Sequence, residues 1–275
     1  MSGKNKKEKP LNKLILILLE IMFVLLFIYA AMQLFSIFQD YRRATNEYDC
    51  LSQQVITIEE IEPGQEKAEE ELPEKVENIL DLPYDYEVPS FTINMEIMKE
   101  RNPDTVGWII LPDSKINYPI VKSKDNTEYL TRTFEGKTAK SGAIFMEMYC
   151  SDDFSDQNTI IYGHNMKNGS MFRALNDMTD QEFFWRHHIF CINTGNGFDN
   201  YEVISCYATT ASDANTWRIS FEDDADYENW LKKITDRCTY DCVDYDVDKN
   251  TITLSTCRGK TGGPGRFVVH LQKKN

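Results

Sequence analysis

The spacing of apolar residues divides the chain into three parts. From Leu14 to Met32 nineteen residues run apolar with one ionisable interruption, Glu20, and the apolar character continues to Phe38. About 20 residues rising 1.5 Å each cross the hydrocarbon core of a bilayer, so 14–38 predicts a membrane-spanning helix. Between 39 and 88 no apolar period is sustained, and Glu59–Glu77 contains nine acids against Lys67 and Lys75. Charge of that density predicts an extended, solvated tether. Beyond it, over 89–275, the dominant period is two. Strands are expected at 108–111, 116–121, 142–146, 158–164, 188–193, 200–210, 251–257 and 266–272, separated by Gly, Pro, Asn and Asp clusters. Eight short strands predict a closed barrel or a sandwich in a mainly β domain interrupted by helices, the α+β class. One helix is expected near 92–101, one or two across 170–187 and one from about 224 to 238. In the last, Tyr227, Trp230, Leu231, Ile234 and Cys238 form one apolar stripe. Thr179 and Glu182 have the spacing of a capping box.

Charge sharpens this division. The 275 residues carry a formal net charge of −14, yet residues 1–43 hold seven Lys/Arg against only Glu8, Glu20 and Asp40. The acid therefore lies beyond the apolar run, where it repels phosphate backbones and argues against nucleic acid as a partner. Lys4, Lys6, Lys7, Lys9 and Lys13 make 1–13 a basic tail. The positive-inside rule then puts the N-terminus in the cytoplasm and everything after Phe38 outside the cell. A cleaved signal peptide fits less well, because the apolar run is long and Ala30-Ala31 followed by Met32-Gln33-Leu34 is a poor cleavage site. Glu20 is read as protonated, snorkelling or paired with another helix.

Seven cysteines are an odd number, so at least one is a free thiol. Along 251–257 alternation puts Ile252 and Leu254 on one face and Thr253, Ser255 and Cys257 on the other. Cys257 thus ends its strand opposite the apolar face, ahead of a Gly-rich loop, where a scaffold can present a reactive side chain. Cys191, Cys206 and Cys238 fall at apolar strand or helix positions and read as small buried hydrophobes. Cys50 falls in the tether, and Cys150 and Cys242 in loops, with no pairing identified. A thiol becomes a nucleophile when a base and a cation favour its thiolate. Of the four histidines, His187 and His188 read as surface residues, and His270 as a functional or merely outward polar residue of the last strand. His164 closes the strand that carries Tyr162 and enters a turn-rich segment. Arg266 opens the last strand on the face opposite Phe267, Val269 and Leu271. No Cys/His zinc spacing appears, so neither a metal nor a cofactor is expected.

The segments Ile160-Ile161-Tyr162-Gly163-His164-Asn165-Met166, Thr253-Leu254-Ser255-Thr256-Cys257 and Gly265-Arg266-Phe267-Val268-Val269 resemble the His, Cys and Arg signatures of sortases. Asn102-Pro103-Asp104-Thr105-Val106-Gly107-Trp108, Asp125-Asn126-Thr127-Glu128-Tyr129-Leu130 and Gly169-Ser170-Met171-Phe172 resemble class B members. The resemblance runs from about residue 90 to 272 and implies an eight-stranded sortase barrel with an N-terminal helical segment and a long helix before the cysteine strand. It implies a membrane-anchored transpeptidase of Gram-positive bacteria. Such an enzyme cleaves surface proteins after Thr in a C-terminal sorting signal of Asn-Pro-x-Thr or Pro-x-Thr-Gly type and transfers them to an amine of the peptidoglycan precursor. Carried over residue by residue, Cys257 is the nucleophile, His164 the proton donor and acceptor, and Arg266 the oxyanion donor. Asn126, Leu130, Tyr162 and Ser255 line the peptide groove. Some class B members carry an acid shortly after the cysteine, where this chain reads Arg258-Gly259-Lys260-Thr261. A pilin-polymerising sortase using a substrate lysine, a tethered binding protein and a hydrolytic protease are the competing readings.

Two other motifs carry little. Gly259-Lys260-Thr261 lacks the first glycine of a phosphate-binding loop, since residue 254 is Leu. Asn102-Pro103-Asp104-Thr105 mimics a sorting signal but is explained by the turn chemistry of Pro after Asn at a helix end.

Overall fold

A computed structural model describes residues 10–59, 90–195, 197–240, 242–259 and 262–274. It divides into two compact units, Met1–Arg43 and Ala44–Asn275. In the first unit lies most of helix α1 (Pro10–Val55), whose apolar side chains from Leu14 to Phe38 are exposed along its length. Length and composition make it a helix able to cross a membrane.

Residues 39–59, expected to open an extended tether over 39–88, are helix and strand instead. Helix α1 continues to Val55, strand β1 (Ile56–Glu59) follows, and Ala44, Tyr48, Leu51 and Val55 are buried within the second unit. These four residues are a sparse i, i+4, i+7, i+11 stripe, diluted by polar neighbours below the density that reads as amphipathic. The Tyr48 hydroxyl donates to the Gly142 carbonyl at 2.9 Å and accepts from the Phe134 N–H at 3.2 Å, tying the helix to the domain. Strand β2 (Ser90–Ile93) pairs antiparallel with β1. The acidic stretch 60–88 and most of the basic tail lie outside the described residues.

The other eight strands are β3 (Thr105–Ile110), β4 (Asn117–Val121), β5 (Ile144–Met146), β6 (Asn158–Tyr162), β7 (Ile189–Asn193), β8 (Phe198–Thr210), β9 (Thr251–Cys257) and β10 (Gly265–Lys273). They close into a barrel in the order β10-β8-β7-β3-β4-β5-β6-β9, and β9 pairs with β10 to complete it. The β4–β5 and β6–β9 pairs are parallel, the rest antiparallel. Of the two architectures that eight short strands allow, the chain adopts the barrel, filled by residues such as Ile109, Ile120, Leu254, Val269 and Leu271.

Helix α2 (Met95–Arg101) is capped by Asn94, whose side chain accepts from the Ile97 N–H. Of the one or two helices expected across 170–187, the chain forms two segments, a 3-10 segment, Phe172–Thr179, followed by α3 (Gln181–Arg186). Its cap is Asp180, which accepts from the Phe183 N–H, and not the Thr179 of the expected box. Thr179 instead donates back to the Asn176 carbonyl. Helix α4 (Asp224–Thr235) is capped by Asp223 and buries Tyr227, Trp230, Leu231 and Ile234 against Ile204, Tyr207 and Val268 on β8 and β10. It covers a face of β10 that alternation had marked as outward.

Under α4 lies His270, fully buried, where a polar outward residue was one expectation. The Tyr207 hydroxyl donates to its Nε2 at 3.1 Å, and its Nδ1–H donates to Thr253 Oγ1 at 2.8 Å. Thr253 in turn donates to Asn158 Oδ1 at 2.7 Å, which fixes that direction. Burial holds this imidazole neutral, its pKa pushed down to about 3. His187 and His188 are not surface residues either. His187 is buried and stacks on Phe183 at 4.0 Å, and burial lowers the pKa of His188.

Candidate active site

Two strand pairings assemble the site. Antiparallel pairing of β9 with β10 sets Cys257, the last residue of one, opposite Arg266, the second residue of the other. Parallel pairing of β6 with β9 runs Asn158↔Thr251 through Tyr162↔Ser255, so the C-terminal ends of both strands emerge together. Two residues further on, in the same phase, are His164 and Cys257. The junction is tight: the Gly163 N–H donates to the Ser255 carbonyl at 3.0 Å. A Cβ at Gly163 would stand 2.5 Å from Ile144 Cδ1 and 2.6 Å from the Phe172 ring, so only glycine lets the chain turn there.

The loop after His164 locks the end of β9. Asn165 Nδ2 donates to the Cys257 carbonyl at 2.9 Å, and Asn176 Nδ2 reaches the same oxygen at 3.3 Å. His164 is half-buried, and its Nε2–H donates to the Leu130 carbonyl at 2.8 Å. Leu130 ends the 3-10 turn Glu128–Leu130, which Asp125 initiates by accepting from the Thr127 and Glu128 N–H groups. Arg266 Nη1 donates to the Gly263 and Gly265 carbonyls at 3.0 and 2.9 Å. These bonds anchor one nitrogen of the fork.

All seven site residues singled out in the sequence line one cavity of about 250 Å³: Cys257, His164 and Arg266 with Asn126, Leu130, Tyr162 and Ser255. Phe145, Gly163 and Thr256 complete its wall. A more open depression of about 910 Å³ lies among Glu202, Glu228, Asp244, Asp246 and Lys249, and no cysteine or histidine lines it. In the smaller cavity Leu130 is exposed at 37%, whereas Ser255 is buried. The Tyr162 hydroxyl donates to Glu147 Oε2 at 2.8 Å. Burial first, then the Glu147 charge, raises its pKa above the ordinary tyrosine value.

The other thiols lie elsewhere. Burial pushes Cys150 up to about 11 and Cys191 up to about 12, which keeps both protonated and inert. Cys150, expected in a loop, is buried there, and Cys50 is exposed on α1. Cys238 is not the fully buried hydrophobe its helical phase suggested. It is half-exposed beyond the end of α4, with its Sγ beside that of Cys242 and accepting from the Cys206 N–H at 3.2 Å. The guanidinium of Arg258 lies over the Phe267 ring at 5.2 Å. Lys260 and Thr261 fall outside the described residues.

Sequence reasoning missed Glu147, Asn165 and Asn176. Glu147 had a signal, an isolated acid directly after the apolar strand 142–146. Asn165 sits inside a quoted motif but acts through a main-chain contact that sequence does not reveal. Among the described residues no cluster of three or more His, Cys, Asp or Glu is arranged to hold a metal ion.

A family model described as a sortase domain matches residues 109–274. Sortase B of Listeria monocytogenes is 38% identical over 176 residues, covering 62% of this chain and 70% of that protein. Sortase B of Staphylococcus aureus is 34% identical over 215 residues, covering 78% and 86%. Among solved structures, sortase B from B. anthracis in complex with AAEK1 superposes with a TM-score of 0.66 at 32% identity, over 86% of this chain and 99% of that one. The Staphylococcus aureus sortase B–substrate complex gives 0.61 at 33% identity, covering 66% and 84%. Sortase B complexed with Gly3 gives 0.61 at 32%, covering 66% and 85%.

Proposed function

The chain belongs to the sortase B family and is a cysteine transpeptidase of that type, and from this premise we propose that Cys257, His164 and Arg266 carry the reaction. The observation behind the assignment is their convergence, with four groove residues, on one cavity at the paired ends of β6, β9 and β10.

In this mechanism the Cys257 thiolate attacks the carbonyl carbon of the Thr in a sorting signal. Negative charge develops on the carbonyl oxygen. Arg266 donates to it through the guanidinium nitrogens not engaged with Gly263 and Gly265, a fixed fork that needs no proton transfer. The C–N bond breaks as His164 delivers a proton to the departing amine, leaving a thioacyl enzyme. With Nε2–H held by the Leu130 carbonyl, Nδ1 is the nitrogen that exchanges this proton. An incoming amine attacks the thioester, His164 takes its proton, and the Cys257 thiolate leaves. The peptide lies along Asn126, Leu130, Tyr162 and Ser255.

The substrates are surface proteins ending in an Asn-Pro-x-Thr or Pro-x-Thr-Gly signal, and the acceptor is a glycine-type amine of the peptidoglycan precursor. Complexes of the S. aureus enzyme with substrate and of a sortase B with Gly3 support both halves. Helix α1 anchors the chain in the membrane, N-terminus in the cytoplasm.

The test is the full chain in detergent, given Asn-Pro-Ala-Thr and Pro-Ala-Thr-Gly peptides with and without triglycine. Product carrying the added glycines is expected, from one peptide class or both, and none from Cys257→Ala. Acid product alone, at the same rate with or without triglycine, would contradict transfer.

A further inference from the structure

Bonded to two of the groove residues is a carboxylate to which the reaction above gives no task. Glu147 directly follows β5, with its main-chain N–H donating to the Ile160 carbonyl at 2.9 Å, and the residue is only 8% exposed. Asn126 Nδ2 lies 2.7 Å from both of its carboxylate oxygens, and the Tyr162 hydroxyl donates to Oε2 at 2.8 Å. Both donors belong to groove residues. The remaining end of the Asn126 amide, Oδ1, accepts from the Met148 N–H at 2.9 Å, so residues 147 and 148 grip that side chain at both ends.

Resting on the sortase reading, we propose that Glu147 is the positioning residue of the peptide groove. It orients the Asn126 amide and the Tyr162 hydroxyl directly. It also holds the 126–130 segment, whose Leu130 carbonyl fixes His164.

The chemistry requires a carboxylate. Two donors, an amide N–H and a phenol O–H, converge on one group, and an ionised carboxylate is acceptor only. A glutamine would turn its own N–H₂ toward one of them and leave a buried donor facing a donor. There is a consequence for substrate. Because Tyr162 spends its single proton on Glu147, it presents lone pairs to the cavity and accepts an N–H from the bound peptide.

The test uses the full chain in detergent and four proteins: wild type, Glu147→Gln, Tyr162→Phe and the double variant. Steady-state kinetics are read with the Asn-Pro-Ala-Thr or Pro-Ala-Thr-Gly peptide that wild type turns over. The rate at which iodoacetamide labels Cys257 is read beside them. Glu147→Gln is expected to raise KM by about tenfold, the effect of one lost charge-assisted acceptor. Labelling of Cys257 stays within about twofold, because Glu147 does not touch the thiol. The double variant is no worse than the poorer single, since the two residues act as a unit. Should Glu147→Gln fail to fold, Glu147→Asp keeps the acceptor charge and is expected to retain turnover that Glu147→Ala lacks. Wild-type KM in Glu147→Gln, additive losses in the double variant, or labelling that falls as much as peptide turnover would each overturn the proposal. A wild-type chain that turns over neither peptide overturns the transpeptidase reading first, and this inference with it.

Discussion

Strands β9 and β10 present two pairs of polar residues on the same face, and the two pairs have different fates. Thr253 stands opposite His270, and Cys257 stands opposite Arg266. Helix α4 covers the first pair, so His270 sits fully buried with Trp230 edge-on at 5.8 Å, its nitrogens engaged and its charge excluded. The second pair instead lines the 250 Å³ cavity, with His164 in the same wall. One strand pair therefore carries both a buried structural histidine and the proposed nucleophile. The presence of a helix overhead, not the strand phase, decides which is which.

This contrast can be broken at either end. Trp230→Ala removes the centre of the α4 packing and is expected to lower unfolding stability by about 3–5 kcal/mol. Urea titration measures it. Peptide turnover per folded molecule at low temperature should stay within about twofold, and a collapse of kcat would show that the covered pair also serves the reaction. At the open end, Arg266→Ala is expected to cut kcat/KM by about a hundred- to a thousandfold with little change in melting temperature, the pattern of a lost oxyanion donor. Arg266→Lys should recover only part, because a point charge replaces a fork.

The third expectation is a pH dependence at the covered end. The His270 pKa is about 3 in the folded chain against about 6.5 when unfolded, so below pH 6.5 the unfolded state takes up a proton that the folded state refuses. The contribution is complete above pH 6.5 and is lost as pH falls toward 3. Between pH 6.5 and 4.5 this amounts to about 2 kcal/mol. His270→Gln, which can still donate and accept, should flatten that part of the urea-stability curve relative to wild type. Parallel curves for the two proteins would mean that His270 titrates normally.

Much of this was legible because strand phase and turn chemistry are local. All eight barrel strands were placed to within a few residues, and the apolar stripe of α4 marked its buried face. The fates of His270, His187 and His188 were not legible, because burial depends on elements packed from elsewhere in the chain. Phase could show that His270 pointed away from Leu271, but not that a helix waited on that side. The docking of Tyr48 and Leu51 was missed for a similar reason: a few buried residues among acids and polar groups do not stand out until Gly142 and Phe134 are seen to bond to Tyr48. For the site the motifs pointed to seven of the ten residues that line the cavity, while Glu147 and Asn165, which brace them, required coordinates.

The most direct test of the cavity-lining pair is to mix the full chain with excess sorting peptide and no amine, quench in acid, and map the modified residue by peptide mass spectrometry. The expected result is the peptide's N-terminal part, ending in Thr, joined as a thioester to Cys257, and its loss on adding triglycine. An adduct on another cysteine, or no adduct while peptide is still cleaved, would contradict Cys257 as the nucleophile.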